Sequence, residues 1–279
     1  MSIATKTNLR LEILISTMNR NSLNFLEKLF PNSSFKNFNL LIINQTTKTC
    51  VLVSKYANVR VINSFAKGLT NSRNLALENA KGSICLIADD DVIYHPNFDD
   101  IIIKSFDTHT EADVITFKMK DLEGKDFKTY ENSKWHDLKS LKQVNSVTVA
   151  FKLEKIKASN VQFNPNFGLG STFETADEYI FLRDCLKADL KLWFQSQYLL
   201  SHDRDSSGRA KGSNRLVFAR GALFYKYYGC KGYLKLIHYL LLEKKKGFIA
   251  NEEILQKFKI GLNGISVYKK LLKIGEEKQ

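Results

Sequence analysis

The stretch GLTNSRNLALENAKGSICLIADDDVIYHP, residues 68–96, contains a predicted helix, a predicted buried strand and three adjacent carboxylates. The segment NSRNLALENA (71–80) has the apolar spacing of a helix, and a nearby glycine is typical of a helix end. The apolar run SICLIA (83–88) predicts a buried strand. Asp89–Asp91 come directly after this strand. A helix, a buried strand and a terminal acidic cluster indicate an α/β fold with a polar site at the strand's carboxyl end.

The chain before this stretch alternates in the same way between strand-like and helix-like segments. SLNFLEKLF (22–30) has helical spacing, and three apolar runs predict strands: LEILIS (11–16), LLIIN (40–44) and VRVI (59–62). This alternation predicts a Rossmann-like, mostly parallel sheet with helices on both faces. Ligands bind beyond the carboxyl ends of such strands, so we expect the site at three strand ends: Thr17–Arg20, Asn44–Thr46 and Asp89–Asp91.

The second half of the chain is less regular and ends in helices. EYIFLRDCLKA (178–188) predicts a helix, and three alternating segments predict strands: ADVITFKM (112–119), NSVTVAFK (145–152) and LKLWFQS (190–196). From residue 214 onward the spacing is helical, with apolar and aromatic residues on one side and lysines on the other. We therefore expect a main domain over residues 1–212 and a C-terminal helical extension over residues 213–279.

The composition is that of a globular protein with a strong positive charge. Of the 279 residues, 44% are hydrophobic and 25% charged, and 42 basic against 29 acidic side chains give a net charge of +13. This charge favours an anionic partner, but it does not choose among nucleic acid, a nucleotide and an acidic membrane surface. The cysteines lack paired spacing, the N-terminal segment does not resemble a signal peptide, and no apolar run reaches the ~20 residues of a membrane span. We therefore expect a cytoplasmic protein.

The acidic cluster Asp89–Asp91 has two interpretations. Three adjacent carboxylates repel one another, and a hard divalent cation such as Mg2+ or Mn2+ relieves that repulsion. Such a cation would also neutralise a departing diphosphate group. The alternative is a solvated acidic turn that caps the next helix.

The whole stretch from Gly68 to Pro96 resembles the core of the family 2 glycosyltransferases, which have the GT-A fold. The family pattern has a G-x-x-x-x-R-N helix start, a strand, a D-x-D motif and a proline shortly afterwards. The resemblance implies that Asp89 contacts the ribose of the donor or the metal and that Asp91 holds the metal. Asp90 would share one of these roles, and Arg73 would lie beside the nucleotide.

The first strand and its following turn, ILISTMNR (13–20), also resemble the nucleotide-binding part of this family. The resemblance places Thr17, Asn19 and Arg20 near the base or ribose. Where the family usually has a base-reading aspartate, this chain has Asn44 and Gln45. An amide can hydrogen-bond a uracil edge as donor and acceptor, so we expect a UDP-linked sugar while the base stays open.

A second acidic group opens the predicted helix 178–188. Acidic residues in a first helical turn are favoured by the helix dipole, which is one interpretation of this group. However, ADEYIFLRD (176–184) resembles the family segment G-E-D-x-x-F-x-x-R. By that resemblance Glu178 is the catalytic base that deprotonates the acceptor, and Asp177 orients the acceptor.

A third candidate is the segment SHDRDSSGR (201–209), which follows a strand-like run. In several GT-A enzymes a late histidine completes the metal site or touches the diphosphate, and the resemblance gives such a role to His202, which we expect to be a metal ligand. Three basic residues around it would contact the donor phosphates: Arg204, Arg209 and Lys211. The alternative is a surface loop with an incidental histidine.

These observations predict a metal-dependent, inverting transferase that moves a sugar from a nucleotide-sugar to a glycan or lipid-linked glycan. FARGALFYKYYG (218–229) resembles a stretch of some bacterial capsule or O-antigen sugar transferases. A sugar-nucleotide nucleotidyltransferase is the alternative enzyme, but the turn STMNRNS (16–22) lacks its glycine-rich phosphate loop. A non-catalytic nucleotide- or nucleic-acid-binding protein is the other alternative, although no nucleic-acid-binding motif is present and we expect no nucleic-acid partner.

The basic C-terminal helices have two interpretations of their own. Lysines near aromatic residues favour anionic lipid headgroups, which predicts peripheral contact with the inner face of the cytoplasmic membrane. The alternative is a helical cap with a solvated lysine face.

Overall fold

Eight strands form a single mixed sheet within the part of the chain that the structure describes. The structure is a computed structural model and describes residues 10–130, 134–204 and 212–277. The order across the sheet is β3-β2-β1-β4-β7-β6-β8-β5. In chain order the strands are β1 (Leu11–Met18), β2 (Asn39–Gln45), β3 (Val59–Ser64), β4 (Ile84–Asp89), β5 (Ile93–Tyr94), β6 (Val114–Asp121), β7 (Val149–Lys152) and β8 (Leu192–His202).

The first four strands of the chain, β1 to β4, pair in parallel. The strand β1 lies between β2 and β4 and is parallel to both, and β3 is parallel to β2. β6 and β8 are also parallel, whereas β7 and β5 pair antiparallel with their neighbours. The predicted α/β class, with C-terminal helices, is confirmed. The helices that accompany the sheet are α1 (Phe25–Leu29), α2 (Leu69–Asn79), α3 (Phe98–Thr108), α4 (Leu153–Ser159) and α5 (Asp177–Lys187).

Both faces of the central strands are buried in separate hydrophobic clusters. On β1, Ile13 and Ile15 belong to one cluster and Leu14 to the other. On β2, Ile42 belongs to the first of these clusters and Leu41 to the second. Successive side chains of a strand point to opposite faces, so a continuous apolar run is what a sheet covered on both sides requires.

Two predicted elements are shorter than expected. The predicted strand 145–152 is extended only over Val149–Lys152, because its first part forms a tight helical turn at Ser146–Thr148. Both the backbone N–H and the hydroxyl of Thr148 donate to the carbonyl of Asn145, which closes that turn. The predicted helix 22–30 is helical only over Phe25–Leu29.

The described residues divide into two compact units. The first contains the sheet and consists of the described residues within 1–67, 71–163 and 178–204. The second consists of those within 68–70, 164–177 and 205–277. It contains the helices α6 (Asn214–Tyr228), α7 (Lys231–Lys245) and α8 (Ile254–Lys273). The boundary at 212/213 remains a prediction. Within the described ranges no helix has both the length and the apolar character needed to span a membrane.

Glycines allow the backbones of α6 and α8 to lie in direct contact. A Cβ atom on Gly221 of α6 would overlap the carbonyl oxygen of Gly261 on α8. A Cβ atom on Gly264 of α8 would overlap the carbonyl oxygen of Phe218 on α6. A carbonyl oxygen on a helix cannot move aside as a flexible side chain does, so only glycine fits these positions.

We predict that Gly264→Ala destabilises the C-terminal unit, because the added methyl group must push α6 and α8 apart. The expected loss is roughly 1–3 kcal/mol in the free energy of unfolding, measured by urea denaturation. Asn263→Ala is the matched control, because Asn263 is exposed on the same turn of α8. Equal stability of Gly264→Ala and the wild type would contradict the close packing.

His136 is a buried histidine that the fold holds in its neutral form. Its Nε2 lies 2.6 Å from the hydroxyl oxygen of Thr116, and its Nδ1 lies 3.1 Å from that of Ser140. Burial lowers its pKa from 6.5 to about 4. In the unfolded chain the imidazole binds its proton at a higher pH, so acidification below pH 6.5 favours unfolding until the folded-state pKa near 4 is reached.

We predict that His136 makes the protein lose about 2 kcal/mol of stability between about pH 7 and pH 5. His136→Gln should reduce this pH dependence, even if the substitution lowers stability at neutral pH. Urea denaturation at both pH values measures the difference. His238→Gln is the control, because His238 is exposed. The same pH dependence in His136→Gln and wild type would refute the assignment.

Candidate active site

The register of the parallel strands brings the predicted site residues to one edge of the sheet. Thr17 of β1 pairs with Asn44 of β2. On the other side of β1, Ser16 pairs with Asp89 of β4. The three strands therefore end at the same level, and the polar residues that follow them share this edge.

The turn after β1 is held by hydrogen bonds from β2. Asn19 has a φ of 55°, a left-handed conformation that asparagine tolerates better than most residues. Its N–H donates to the carbonyl of Gln45 over 2.8 Å. The side chain of Asn44 accepts from the N–H of Arg20 and donates to the carbonyl of Arg20, each over 3.0 Å. The turn is therefore fixed before any ligand binds.

Asn44 is fully buried, and its amide is engaged with protein groups on both sides. In addition to its contacts with Arg20, its Nδ2 donates to the Oδ1 of Asn63 over 3.0 Å. Asn63 in turn exchanges two hydrogen bonds with the backbone of Leu52. The Asn44 side chain thus ties the turn after β1 to β3. The sequence analysis missed Asn63, although it lies near the carboxyl end of a predicted strand.

The three adjacent aspartates have three different partners. Asp89 contacts Arg73, Asp90 contacts Arg20, and Asp91 contacts His202. The exposed fraction of the side chain is 28% for Asp89, 22% for Asp90 and 59% for Asp91. Separate cations thus relieve the mutual repulsion of the first two carboxylates, and Asp91 is the one most accessible to a ligand.

Arg20 and Thr17 hold Asp90. The guanidinium of Arg20 donates to Oδ2 of Asp90 from Nε over 2.7 Å and from Nη2 over 2.6 Å. The hydroxyl of Thr17 donates to the same carboxylate oxygen. The guanidinium also lies 5.0 Å from the ring centre of Phe25. Asp90 is therefore neutralised by the turn after β1, and it orients the Arg20 side chain there.

Arg73 holds Asp89 from inside the protein. The Arg73 side chain is only 3% exposed, and its Nη2 donates to Oδ1 of Asp89 over 3.1 Å and to the hydroxyl of Ser146 over 2.9 Å. Its guanidinium lies 5.5 Å from the ring centre of Phe163. Burial raises the pKa of Asp89, and the positive charge of Arg73 opposes that rise. The role of Ser146 could not be predicted, because it depends on the turn that shortens β7.

Asp91 and His202 form a pair between the end of β4 and the end of β8. Nε2 of His202 lies 3.2 Å from Oδ1 of Asp91, and Nδ1 lies 2.6 Å from the carbonyl oxygen of Asp203. The hydrogen bond to His202 lowers the pKa of Asp91, against the effect of burial. Burial lowers the pKa of His202, but its hydrogen bonds to Asp91 and to the Asp203 carbonyl raise it overall.

The chemistry of this pair fits a divalent cation. Because a carbonyl oxygen only accepts, the proton of a neutral His202 lies on Nδ1, and the lone pair of Nε2 then faces the Asp91 carboxylate. Two acceptors at this distance need a proton or a cation between them. Across the described ranges, no three histidine, cysteine or acidic side chains are already grouped as a cation site. Mg2+ and Mn2+ sites often use one or two carboxylates and take further oxygens from substrate phosphates, which suits Asp91. The imidazole of His202 is a ligand that Mn2+ accepts more readily than Mg2+ does.

The basic residues after β8 are only partly within the described chain. Arg204 forms an ion pair with Asp121 at the end of β6, with Nε 2.6 Å from Oδ2. It also donates to the carbonyl of Asp126 over 2.6 Å. Arg204 is therefore anchored beside the Asp91–His202 pair. Arg209 and Lys211, which were expected to contact phosphates, lie outside the described residues.

The acidic residues at the start of α5 differ in their surroundings. Glu174 accepts hydrogen bonds from the N–H of Gly170 and from Arg215, and so stabilises its own loop. Asp177, the first residue of α5, is buried. Glu178 is partly exposed, and no other described residue forms a hydrogen bond or ion pair with its carboxylate. Of the three, Glu178 is the carboxylate best suited to accept a proton from a ligand.

Solved structures with the same fold include two glycosyltransferases. Residues 1–349 of TarS from S. aureus match over 97% of this chain and 93% of that chain, with 14% identity and a TM-score of 0.57. The same protein in complex with UDP-GlcNAc matches with 13% identity and a TM-score of 0.55, over the same 97% and 93%. Mannosyltransferase PcManGT from Pyrobaculum calidifontis, in complex with GDP-Man and Mn2+, matches over 95% of this chain and 79% of that chain, with 14% identity and a TM-score of 0.52.

The comparison with families of sequences is more specific than the comparison of folds. No curated protein sequence matches the chain. The family described as "Glycosyl transferase family 2" matches residues 12–166, which is more than half of the chain. The matched region contains β2, β4, all of β1 except Leu11, and the three aspartates at the sheet edge. The resemblance noted in the sequence is therefore confirmed, and this chain belongs to glycosyltransferase family 2.

Proposed function

We propose that this protein is a metal-dependent, inverting glycosyltransferase that transfers a sugar from a nucleotide-sugar to a glycan or lipid-linked glycan. One observation carries the proposal: each of the three aspartates contacts a different basic side chain. Arg73 and Arg20 neutralise Asp89 and Asp90, which leaves Asp91 exposed beside His202. An exposed carboxylate next to an imidazole, at the carboxyl edge of a nucleotide-binding type of sheet, suits a metal–diphosphate site.

The donor nucleotide would bind along the turn after β1 and the ends of β2 and β4. The rigidity of that turn supports this assignment, because a fixed turn loses little entropy when a ligand binds. We assign donor binding to the residues at these three ends and to the arginine that holds β4: Thr17, Asn19, Arg20, Asn44, Gln45, Arg73, Asp89 and Asp90. Asn44 would act through the turn that it holds, because its own amide is engaged with Arg20 and Asn63.

Asp91 and His202 would hold the cation, with Asp89 as a further ligand or as a contact to the ribose. A bound Mn2+ or Mg2+ would stabilise the negative charge that develops on the departing diphosphate. Asp91 supplies a hard oxygen and His202 a nitrogen lone pair, which is a donor set that Mn2+ accepts. The complex of PcManGT with GDP-Man and Mn2+ is consistent with this choice.

Glu178 would act as the general base. Its carboxylate takes the proton of the acceptor hydroxyl while that oxygen attacks the anomeric carbon, and the bond from this carbon to the diphosphate oxygen breaks. A single displacement of this kind inverts the configuration at the anomeric carbon. Asp177 would orient the acceptor. The absence of a described partner for Glu178 supports its role, because a base that is already paired is a weaker proton acceptor.

A uracil nucleotide is the donor that we propose. The amide of Gln45 at the end of β2 can act as both donor and acceptor, and so matches the pattern of a pyrimidine edge better than a carboxylate does. TarS, whose structure includes complexes with UDP and UDP-GlcNAc, shares the fold. The complex of PcManGT with GDP-Man makes the guanine nucleotide the comparison to run beside it.

We predict that Glu178→Gln lowers kcat by about 10²–10⁴ and changes donor affinity by less than about twofold, because the base acts on the acceptor. Asp91→Asn should instead weaken donor binding in Mn2+ by at least about tenfold and lower turnover as well. Radiolabelled sugar transfer measures turnover, and calorimetry measures donor binding.

Two conservative substitutions outside the site serve as matched controls. Glu154→Gln on α4 and Asp100→Asn on α3 remove exposed carboxylates and should leave transfer unchanged. If Glu178→Gln or Asp91→Asn retained more than about half of the wild-type turnover, the corresponding role would be excluded.

A further inference from the structure

The outer face of α7 exposes an apolar stripe that the helical bundle does not cover. Leu234, Ile237 and Leu241 recur at the spacing of one helix face, with exposed fractions of 69%, 42% and 53%. The opposite face of α7 is buried, through Leu236 and Leu240, in the core of the C-terminal unit. The helix is thus packed through its inner face, and about half of the surface of the outer stripe stays exposed.

Lysines flank this stripe on both sides. On a helix with 3.6 residues per turn, Lys244 lies on one side of the stripe, and Lys231 and Lys235 lie on the other. Lys245 lies just outside the stripe on the side of Lys231, at the carboxyl end of α7. These four lysines have no ion-pair partner among the described residues. A pattern of apolar residues between unpaired cations is typical of a helix that lies in a membrane interface.

Glu243, the only carboxylate in the sequence of α7, does not reduce the positive charge beside the apolar stripe. Glu243 is buried on the inner side of the helix, and its Oε1 lies 2.9 Å from the Nζ of Lys246. The stripe therefore has no acidic neighbour on its own helix. Over residues 231–273 the sequence contains ten lysines and three glutamates, so the surroundings have the same sign of charge.

A groove between α7 and α8 extends the positive surface. It has a volume of roughly 430 Å³, and its polar lining consists of Tyr233, Ser266 and three lysines, Lys269, Lys270 and Lys273. The three lysines of the groove have no ion-pair partner in the described chain. Three ammonium groups with two hydroxyl groups suit the phosphate of a lipid headgroup. Tyr233 lies about 100° around α7 from Leu234, so the groove is on the side of the stripe that carries Lys244.

We propose that the outer face of α7, with the lysine groove beside it, binds the surface of an anionic lipid bilayer. Leu234, Ile237 and Leu241 enter the boundary between headgroups and acyl chains, while the lysines contact lipid phosphates. Charge complementarity selects a membrane over a second copy of this chain, because two such faces would repel each other. The proposal does not depend on sugar transfer, and it is tested without a donor or an acceptor.

The test is flotation of the full chain with vesicles of phosphatidylcholine alone or with about 30% phosphatidylglycerol. We expect binding to the anionic vesicles at about 50 mM salt, and at least tenfold less binding to neutral vesicles or at about 500 mM salt. Absence of binding to the anionic vesicles at low salt would overturn the proposal.

Two variants separate the apolar and the charged contributions. Leu234→Ser with Leu241→Ser should reduce the partition coefficient at least about tenfold, because two apolar side chains no longer enter the bilayer. Replacing the four lysines at 231, 235, 244 and 245 by glutamine should reduce it roughly a hundredfold. All of these positions are exposed, so the variants should fold, and unchanged thermal unfolding verifies this.

The matched control replaces four exposed lysines of the first unit by glutamine and changes the net charge by the same amount: Lys28, Lys81, Lys155 and Lys187. It should bind at least about tenfold better than the α7 lysine variant. Equal losses in the two lysine variants would overturn the assignment to α7. So would dimerisation of the wild type in sedimentation analysis that the leucine substitutions abolish, because the stripe would then be a self-association surface.

Failure of this proposal and failure of the proposed enzyme function are distinguishable. Nucleotide binding measured on the same preparations reports on the sheet edge and should be equal in the wild type and the α7 variants. A wild type that binds vesicles but no nucleotide would retain the membrane surface and lose the transferase. A wild type that binds nucleotide but no vesicles would do the opposite.

Discussion

The mutual repulsion of three carboxylates at the end of one buried strand is the constraint on which the site depends. Asp89, Asp90 and Asp91 follow β4 without a break, where water can solvate only part of their charge. Three basic side chains from different parts of the chain contact these carboxylates: Arg73 from α2, Arg20 from the turn after β1, and His202 from β8. These pairings link α2, the turn after β1 and β8 to the same sheet edge.

The rest of the first unit serves to keep that edge in place. Because β1 and β2 are buried on both faces, their register cannot slip by one residue without moving apolar side chains out of the core. The same register brings Thr17, Asn44 and Asp89, which lie at or near the ends of their strands, to one edge of the sheet. Asn44, near the end of β2, holds the turn after β1 in place through its hydrogen bonds to the backbone of Arg20. Packing thus determines the geometry of polar groups that contribute little to the core themselves.

The sequence predicted the α/β class and the shared edge of the polar residues that follow β1, β2 and β4, because apolar runs and strand ends are local patterns. It did not predict which cation each aspartate contacts, because those partners are distant in the chain. Asn44 was expected to read the base, but its amide is engaged with Arg20 and Asn63, a relationship that requires the pairing of β2 with β3. Ser146 had no signal at all, since it reaches Arg73 only because residues 146–148 turn before β7 begins. Local sequence patterns predict helices and strands, whereas the hydrogen-bond or ion-pair partner of each side chain depends on tertiary contacts.

We propose that the exposed Asp91 and the buried His202 make nucleotide binding depend on a divalent cation. The most direct test is calorimetric titration of UDP, GDP and CDP into the protein with Mn2+ and then with EDTA, repeated with His202→Ala. We expect one nucleotide, UDP, to bind at least about tenfold more tightly with Mn2+, and His202→Ala to reduce this advantage. Binding that is equal in Mn2+ and EDTA, or no binding of any of the three nucleotides, would contradict it.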